Sequence, residues 1–429
     1  MVCNRFSSVV GLSSVCSKIG SGATPRGGSN VYLEHGIFAL IRSQNVYNEG
    51  FNKEGLAYIN EEHADELRNV EVQSGDVLLN ITGDSVARCC QVVDDVLPAR
   101  VNQHVAIIRP DADQLDPRYL RYYLTSPQMQ KQMLSWAGSG GTRNALTKGM
   151  IESFQIPVPE NIEQQRVIAG VLGSLDDKIE LNQRMNETLE AMARAIFKSW
   201  FVDFDPVRAK AEGRKPVGMS EDIAKLFPDS FEDSEPGEIP NGWKAGVVGD
   251  SFRVTMGQSP PGTTYNERGE GIPFFQGRRD FGFRYPAARV YCTAPTRFAE
   301  ANDTLVSVRA PVGDINMAKQ RCCVGRGVAA VRHKSGSRSY TYYMMHHLGD
   351  IFSRFEAEGT VFGSITKDGF KKMECITPAG EIIDAFEKLA FPTDQRIETN
   401  EKQSETLASI RDALLPKLLS GEIRVKASV

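Results

Sequence analysis

This sequence of 429 residues lacks long apolar runs, and it contains no stretch of eighteen consecutive apolar residues. A membrane-spanning helix needs about 20 such residues, so we expect no membrane span. The first residues, MVCNRFSSVVGLSSVCSKIG, contain one early arginine and an apolar stretch interrupted by serines, which is too poor for a signal peptide. These features predict a cytoplasmic protein.

Cysteine pairs at metal-binding spacing are also missing. The eight cysteines include no C-x-x-C pair, and four of them form two adjacent pairs, Cys89-Cys90 and Cys322-Cys323, each after an arginine. Because adjacent cysteines make a poor chelate, we expect reduced thiols buried in strands and no metal site.

No signature of an enzyme is found. The sequence has neither a G-x-x-x-x-G-K-[ST] phosphate loop nor an H-E-x-x-H zinc motif. The nearest counterpart of the [ND]-P-P-[YF] stretch of adenine methyltransferases is SPPG at 259–262, which lacks both outer residues. His346 and His347 are adjacent, so they point to different faces of any helix or strand. We therefore expect no catalytic residue in this chain.

Charge is distributed unevenly, although the formal net charge is only −4. Residues 257–345 hold 13 Lys and Arg against 6 Asp and Glu, and they follow an acidic segment, 203–238, with 10 acids and 5 bases. Residues 1–150 are nearly balanced, with 14 bases and 15 acids. A basic surface favours phosphate contact, so the later segment suits nucleic acid. In residues 1–150 a similar face would need scattered residues or charge from partner subunits.

An internal repeat is the strongest pattern in the sequence. At an offset of 218 residues, Asp176 matches Asp394 and Asn182 matches Asn400 within two similar helical segments. Upstream of these helices, residues 74–86 resemble 301–313 more weakly. Each half is therefore predicted to be a globular domain followed by a helix. Two domains that share one fold but recognise different targets would explain why the helices match better than the domains.

The globular parts are rich in strand-like runs such as NVYLEHGIFALI, with short helices after them. We predict an α+β fold present twice, with a long helix after each copy. The acidic linker is rich in proline and glycine and is expected to have only short local structure. The predicted organisation is a first domain at 1–160, a central helix at 161–202, the linker at 203–238, a second domain at 239–380, and a C-terminal helix and tail at 381–429.

The repeated helices carry a heptad pattern, in which apolar residues recur at steps of 4 and 3 from Ile168 to Trp200. At about 1.5 Å per residue this seam would be roughly 50 Å long, somewhat more than one turn of B-DNA. The second copy starts poorly, and Pro392 predicts a delayed beginning. We expect the helices to pair antiparallel about a pseudo-twofold axis, with an ordinary helix hairpin as the alternative. The predicted seam residues are Leu172, Leu175, Ile179, Asn182, Leu189 and Ile196 in the first helix, and Ile397, Asn400, Leu407 and Leu414 in the second.

Side chains that can read base edges occupy matched places in both domains. Arginine suits guanine, and asparagine and glutamine suit adenine. RSQN at 42–45, NQH at 102–104 and TRN at 142–144 supply such side chains in the first half, and FFQGRRD at 274–280 occupies the place of FALIRSQN at 38–45. A flexible loop, GSGGT at 138–142, could approach phosphate or be a plain turn. Any single one of these residues is more simply a solvated loop residue, and the matched placement favours DNA reading for the group. The predicted set is Arg42, Gln44, Asn45, Asn102, Gln103, Thr142, Arg143 and Lys148 in the first half, and Gln276, Arg278, Arg279, Arg309, Arg326 and Lys367 in the second.

Four stretches resemble the specificity (S) subunits of type I DNA restriction-modification systems. They are LTKGMIESFQIPVP at 146–159, the run from EQQRVIAGVL to FDPVRAK at 163–210, IPNGWKAGVVGD at 239–250, and LLPKLLSGEIR at 414–424. Together with the repeat they cover nearly the whole chain. One departure is that no P-x-G-W-like stretch precedes the first domain, so its first strand is expected to be paired differently or abbreviated.

The resemblance implies a non-catalytic protein that reads a bipartite sequence in double-stranded DNA, one half per domain, with a spacer set by the paired helices. It also implies two DNA methyltransferase subunits as partners, which use S-adenosylmethionine to methylate adenine. Restriction subunits, where present, would use ATP with Mg to translocate and cleave DNA. No cofactor is expected in this chain itself.

A partner would need an apolar docking surface, and AIFKSWF at 195–201 carries more aromatic residues than one helix seam requires. Phe197 and Phe201 are predicted to contact the linker or a partner, with packing beneath the linker as the alternative. Two other functions remain open at this stage. One is an interaction protein that joins two ligand-binding domains through a helical spacer, and the less favoured one is a stand-alone nuclease.

Overall fold

The computed structural model describes residues 8–138, 144–159, 161–235, 237–309, 311–349, 351–352 and 363–425. The chain divides into two compact units. Unit 1 comprises Met1–Glu180 and Ser404–Val429, and unit 2 comprises Leu181–Gln403. Within the described ranges, no helix is long and apolar enough to cross a membrane.

The described part of unit 1 contains ten short strands and four short helices, followed by the long helix α5. The strands are β1 Ser8–Gly11, β2 Cys16–Ser21, β3 Phe38–Ile41, β4 Ala57–Ile59, β5 Glu71–Val72, β6 Val77–Asn80, β7 Cys89–Gln91, β8 Ala99–Val101, β9 Val105–Pro110 and β10 Gln155–Val158. The helices are α1 Glu61–Glu66, α2 Pro117–Thr125, α3 Pro127–Gly138, α4 Lys148–Glu152 and α5 Ile162–Phe201.

Unit 1 is built on three small sheets. One is an antiparallel sheet in the order β2-β9-β6-β7, and the second has the order β4-β3-β8-β5. In the second sheet β3 and β8 pair in parallel, although four other strands lie between them in the sequence. The third is the antiparallel pair β1-β10. The central strands β3, β6 and β9 are buried almost throughout and are rich in Val, Leu and Ile, whereas β2 at the edge of its sheet has no fully buried residue.

Unit 2 begins within α5 and ends within the last helix, and it repeats this set of elements after the linker. Its strands are β11 Phe231–Ser234, β12 Gly237–Pro240, β13 Lys244–Val247, β14 Phe252–Met256, β15 Tyr265–Asn266, β16 Ile272–Phe275, β17 Tyr291–Cys292, β18 Phe298–Ala299, β19 Thr304–Ser307, β20 Ile315–Met317, β21 Cys322–Val324, β22 Val328–His333 and β23 Glu374–Thr377. Its helices are α6 Asp205–Ala211, α7 Glu221–Ala224, α8 Val248–Ser251, α9 Arg338–His347, α10 Lys367–Lys371 and α11 Gly380–Leu419.

The sheets of unit 2 have the same plan as those of unit 1. The antiparallel sheet β14-β22-β19-β20 corresponds to β2-β9-β6-β7, and the parallel pair β16-β21 corresponds to β3-β8. A buried aspartate pairs with an arginine of the neighbouring strand in both sheets, Asp76 with Arg109 and Asp303 with Arg332. The predicted α+β fold, present twice with a long helix after each copy, is confirmed.

The first strand departs from the prediction that it would be differently paired or abbreviated. β1 pairs antiparallel with β10 over four residues, from Ser8 with Val158 to Gly11 with Gln155. β13 and β23 pair in the same way from Lys244 with Thr377 onward. The missing P-x-G-W-like stretch therefore leaves the strand itself intact, because the antiparallel ladder is made by backbone groups.

The two long helices have 40 residues each and begin 218 residues apart. In unit 2, Asn182 of α5 donates its side-chain amide to the Asn400 carbonyl and to Gln403 of α11, while Asn400 donates to Asn186 at 2.8 Å. Higher positions on α5 thus meet lower positions on α11, which makes the pairing antiparallel as predicted. The prediction of a delayed second helix was wrong, because α11 begins at Gly380 and continues through Pro392.

Polar residues occupy the centre of the predicted seam, and apolar residues line its flanks. Asn182, Asn186 and Asn400 are buried. Leu172 and Ile397 are also buried, and the half-buried seam positions are Leu175, Ile179, Leu189, Ile196, Leu407 and Leu414. Buried asparagines cost stability and favour one register of a helix pair.

The linker has short local structure, as expected. Its helices α6 and α7 and the hairpin β11-β12 follow α5 directly. Phe204, Val207 and Phe227 insert into the main hydrophobic core of unit 2, so the linker packs on that unit by burying apolar side chains.

Candidate nucleic-acid interface

In unit 1 the parallel strands β3 and β8 bring two distant loops together. Parallel strands end at the same edge of a sheet, and the Asn102 amide continues this ladder by donating to the Ile41 carbonyl at 3.0 Å. The loop that follows β3, residues 42–56, therefore begins beside residues 102–104. We call residues 42–56 the first reading loop.

A third segment approaches the same place through a glycine. A Cβ atom on Gly22 would lie 2.0 Å from the Val101 carbonyl oxygen, so only glycine allows the two backbones to come this close. Two residues later, the Thr24 hydroxyl donates to the side-chain oxygen of Gln103. Thr82 adds a fourth segment, because its hydroxyl lies 2.6 Å from Nδ1 of His104.

Two of the predicted reading residues in unit 1 lie on a loop that is internally braced. Arg42 is half-buried and Gln44 is exposed. Both donate to the Gly55 carbonyl, at 2.5 and 3.1 Å, and the Arg42 guanidinium also lies 5.3 Å from the ring centre of Tyr32. Gln103 is exposed beside them.

Asn45 and Asn102 do not fit the predicted role in base reading. Asn45 is fully buried and bonds to backbone groups of Arg42, Asn52 and Glu54, so its side chain holds the loop together. Asn102 is 5% exposed and accepts from the His104 amide at 3.1 Å. Because their hydrogen-bonding groups face the interior of the unit, both residues support the loops and present no edge to a base.

Unit 2 assembles the corresponding loops in the same way. At the ends of β16 and β21, the Gly325 amide donates to Phe275 and the Gly327 amide donates to Gln276, at 2.9 and 3.0 Å. A Cβ atom on Gly257 would lie 2.1 Å from the Gly325 carbonyl oxygen, which repeats the close approach at Gly22. We call residues 276–289 the second reading loop.

The side chains presented by these loops are more basic in unit 2. Arg326 projects from the turn between Gly325 and Gly327, beside Gln276, and both side chains are exposed. Arg278 is half-exposed and donates to Asp314 at 2.7 Å. The other predicted arginines here are exposed as well, namely Arg279 and Arg309.

Lys148 and Lys367 occupy equivalent exposed positions at the first residue of short helices, α4 and α10. The preceding threonine caps each helix, and the Thr366 hydroxyl accepts from the Gly369 amide at 3.1 Å. Thr142 and Arg143 lie outside the described residues. In each unit an isolated antiparallel bridge joins the residues just before this short helix to another loop of the cluster. The bridge links Ala145 to Thr82 in unit 1 and Ser364 to Arg309 in unit 2.

Sequence reasoning missed Thr24 and Thr82 in unit 1 and Ser259 in unit 2, and it included His104 only within the stretch NQH. Ser259 accepts from the Arg326 amide at 3.2 Å, so the SPPG stretch belongs to the loop cluster. Nothing in these residue types alone signals the role, because the cluster depends on parallel pairing of strands that are distant in sequence. The matched glycines, Gly22 and Gly257, were the available signal.

Phe197 and Phe201 were predicted to contact the linker or a partner, with packing beneath the linker as the alternative, and their burial favours packing. They are 3% and 5% exposed, within the main core of unit 2. Their ring centres lie 4.9 Å apart, and the ring of Phe386 lies 5.6 and 5.3 Å from them. Packing within the core, which includes the linker residue Phe204, accounts for both side chains.

The cysteines behave as predicted for buried strand residues. Cys89 and Cys90 lie in β7, and Cys322 and Cys323 lie in β21, all buried and without disulfide bonds. Burial raises the pKa of the Cys322 thiol to about 12, so it stays protonated. Among the described residues, no group of three or more His, Cys, Asp or Glu side chains could hold a metal ion.

Comparison with known proteins agrees with this repeated architecture. The family model of the type I restriction modification DNA specificity domain matches residues 8–191. The MjaX specificity subunit of Methanocaldococcus jannaschii, named for a type I restriction enzyme, is 30% identical over 327 residues, which cover 75% of this chain and 72% of that protein. The type I restriction enzyme HindI specificity subunit of Haemophilus influenzae is 27% identical over 413 residues, covering 82% and 87%.

A solved structure supports the fold. The S subunit of a type I restriction-modification system from M. genitalium aligns with a TM-score of 0.58 at 14% identity, over 100% of this chain and 99% of that one. Together, the sequence relatives and the repeated domain-and-helix architecture show that this chain belongs to the family of type I restriction enzyme specificity subunits.

Proposed function

We propose that this chain is the non-catalytic DNA-specificity subunit of a type I restriction-modification complex. Residues 1–160 read one half of a bipartite target and residues 239–380 read the other, while the paired helices set the spacer between the halves. The observation that carries this proposal is the duplicated loop cluster. The same strands, glycines and backbone hydrogen bonds build it twice, yet the exposed side chains differ between the two copies.

The side chains of each cluster suit direct reading of base edges in the major groove. Arginine can donate two hydrogen bonds to guanine, and glutamine can pair with both polar groups of adenine. Unit 1 offers Arg42, Gln44 and Gln103, and unit 2 offers Gln276 and Arg326. Different sets on one frame are what two different half-sites would require. The exposed Lys148 and Lys367 are suited to phosphate, which positions a protein without reading sequence.

The partner surface proposed here lies on the long helices, away from the buried Phe197 and Phe201. Met192 on α5 is 58% exposed and Ile410 on α11 is 43% exposed. These two residues are 218 positions apart, at the same place in each helix. Large exposed apolar side chains at equivalent repeat positions suit two copies of one partner. We propose that each helix contacts one DNA methyltransferase subunit there, and that the partner supplies the S-adenosylmethionine chemistry.

The test is co-expression of this chain with its methyltransferase, followed by single-molecule sequencing of the methylated host DNA. The expected result is a split motif with N6-methyladenine in both halves, one on each strand. Replacing Met1–Met150 with the corresponding segment of another family member should change one half of the motif only. A stable complex with an active methyltransferase that produces no split motif would overturn the proposal.

The separate roles proposed for Arg326 and Lys367 can be tested by measuring base discrimination and the salt dependence of DNA binding. Arg326→Ala should relax discrimination at one base of the second half-site, with a loss of about 1–3 kcal/mol, if it reads a base. Lys367→Ala should weaken binding to every sequence alike and reduce the slope of log K against log salt by about one. Equal behaviour of the two variants would contradict the assignment of separate roles.

A further inference from the structure

Each reading loop is tied to a long helix through a buried cluster of arginine, tyrosine and aspartate. The aspartates are Asp176 on α5 and Asp394 on α11, which occupy the same position of the repeat. Each accepts a hydrogen bond from a tyrosine hydroxyl, Tyr122 at 2.6 Å and Tyr343 at 3.1 Å. These tyrosines also correspond, because each is the sixth residue of its tyrosine-rich helix, α2 or α9.

In unit 2 the arginine comes from the second reading loop itself. Arg284 is 0% exposed and donates to Asp394 at 2.7 Å and to Glu190 of α5 at 3.1 Å. It also donates to the Tyr343 hydroxyl at 3.2 Å, and its guanidinium lies 4.0 Å from the ring centre of Tyr342. One loop residue thus contacts both long helices and α9.

In unit 1 two arginines reach Asp176. Arg411 of α11 donates to it at 2.7 Å, and Arg121 of α2 links it to the loop. Arg121 donates to Asp176 at 2.5 Å and, with its other terminal nitrogen, to the Asn48 carbonyl at 3.0 Å. Asn48 belongs to the first reading loop. Its side chain also accepts from the Cys89 amide at 2.9 Å, so the anchor point is held from two sides.

Hydrogen bonds within each loop couple the position of the anchored residue to the positions of the predicted reading residues. In the first loop, Asn45 joins Arg42 to Asn52 and Glu54, so a shift at Asn48 would move Arg42 and Gln44 with it. In the second loop, the Ala287 amide donates to the Asp280 carbonyl at 2.8 Å. This hydrogen bond keeps the part of the loop that contains Arg284 close to the part that contains Arg278.

We propose that Arg121 and Arg284 are positioning residues for DNA specificity, each for the half-site read by its own unit. They do not touch the base; they fix the loop that does, against a carboxylate at the same position of each long helix. A guanidinium suits this role because its planar fork holds N–H donors on separate nitrogens in fixed directions, whereas a lysine ammonium carries its three donors on one nitrogen at the end of a flexible stem. This inference rests on the proposed function, since it concerns how the half-sites are read.

The matched test uses Arg121→Lys and Arg284→Lys, each in complex with the methyltransferase, with methylation counted at cognate sites and at sites carrying one mismatch. Arg284→Lys should raise methylation of sites mismatched in the second half, relative to cognate sites, by roughly tenfold, the discrimination carried by about one bidentate base contact. Fidelity in the first half should stay unchanged. Arg121→Lys should do the reverse, so each variant is the control for the other.

Two further measurements separate positioning from a general loss of folding. Hydrogen exchange of the amides in 276–289 should accelerate in Arg284→Lys while those of 42–56 keep their wild-type rates. If either lysine variant fails to fold, Tyr343→Phe and Tyr122→Phe remove only one hydroxyl from each cluster and should show the same half-specific effect at smaller size.

Unchanged fidelity in the folded variants, or equal relaxation of both halves, would overturn the positioning role. A wild-type complex without a split motif would instead overturn the proposed function, which keeps the two failures distinct.

Discussion

The contrast between Phe197 and Met192, five residues apart on α5, gives a sharp test of where the partner binds. Phe197 is 3% exposed, and the ring centres of Phe201, Phe386 and Tyr340 lie 4.9, 5.6 and 5.8 Å from its own. Removing a buried phenylalanine side chain costs about 3–5 kcal/mol, because the cavity cannot fully collapse. For a unit of this size, each kcal/mol lowers the melting temperature by roughly 2–4 °C, so Phe197→Ala should lower it by about 6–20 °C.

Intrinsic fluorescence can report this loss for unit 2 alone. Two of the three tryptophans, Trp200 and Trp243, lie in the same core as Phe197, and Trp136 lies in unit 1. In a Trp136→Phe background, thermal unfolding followed by tryptophan emission would therefore report unit 2. The control is Met192→Ala in the same background, which should leave the midpoint nearly unchanged, since exposed substitutions usually change stability by less than about 0.5 kcal/mol.

The partner-binding assay completes the comparison. Pull-down of the methyltransferase at a temperature well below both midpoints should be weakened by Met192→Ala and retained by Phe197→Ala. The reasoning is refuted if Phe197→Ala keeps the wild-type midpoint but loses the partner, because a buried core residue cannot behave in that way.

Three further predictions concern the helix seam, the core and the loop cluster. Asn400→Leu should lower the free energy of unfolding by about 1–3 kcal/mol in urea titrations, because the buried acceptor of Asn186 loses its partner at 2.8 Å; unchanged stability would show that the seam tolerates an apolar residue there. Burial and two nearby arginines lower the pKa of His346 below its ordinary 6.5, so protonation favours the unfolded state and stability is lost as pH falls below 6.5. The urea midpoint of wild type should therefore fall more steeply between pH 7 and pH 5 than that of His346→Gln, and parallel curves would contradict this. Gly22→Ala would place a Cβ 2.0 Å from the Val101 carbonyl and should disturb methylation specificity in the first half-site only, as read from the methylated motif.

The helices illustrate how far the sequence alone could lead. The heptad pattern from Ile168 to Trp200 predicted nearly all of α5, which spans Ile162–Phe201, because an apolar seam and its helix are specified by the same local periodicity. The second helix was predicted to begin late because of Pro392. It begins earlier because the residues preceding the proline, among them Ile382 and Phe386, are buried in the core of unit 2. Burial of this apolar face outweighs the local cost of one proline, about 3 kcal/mol.

The candidate interface was predictable only in part. Matched polar stretches led to 42–45, which follows β3, and to 274–280, which spans the end of β16 and the start of the second reading loop. The sequence could not tell which side chains there face outward. Asn45 is the clearest case. Its side-chain amide could pair with adenine, but the residue is fully buried and its hydrogen bonds hold the loop together. Parallel pairing of β3 with β8 is also invisible to local patterns, because the two strands are far apart in sequence and four other strands intervene.

The two anchoring clusters explain why the domains could diverge while the helices remained similar. The helix contributes the same aspartate in both copies, and the aromatic helix contributes the same tyrosine. The arginine that links this aspartate to the reading loop, however, comes from α2 in unit 1 and belongs to the loop itself in unit 2. In unit 1 Asp176 also accepts from Arg411 of α11 at 2.7 Å. A carboxylate on the helix requires only that some guanidinium reaches it, because its attraction to a buried positive charge does not depend on which element carries that charge. The frame therefore fixes where the loop lies and leaves its sequence free, which is the condition under which one scaffold can carry loops for different DNA half-sites.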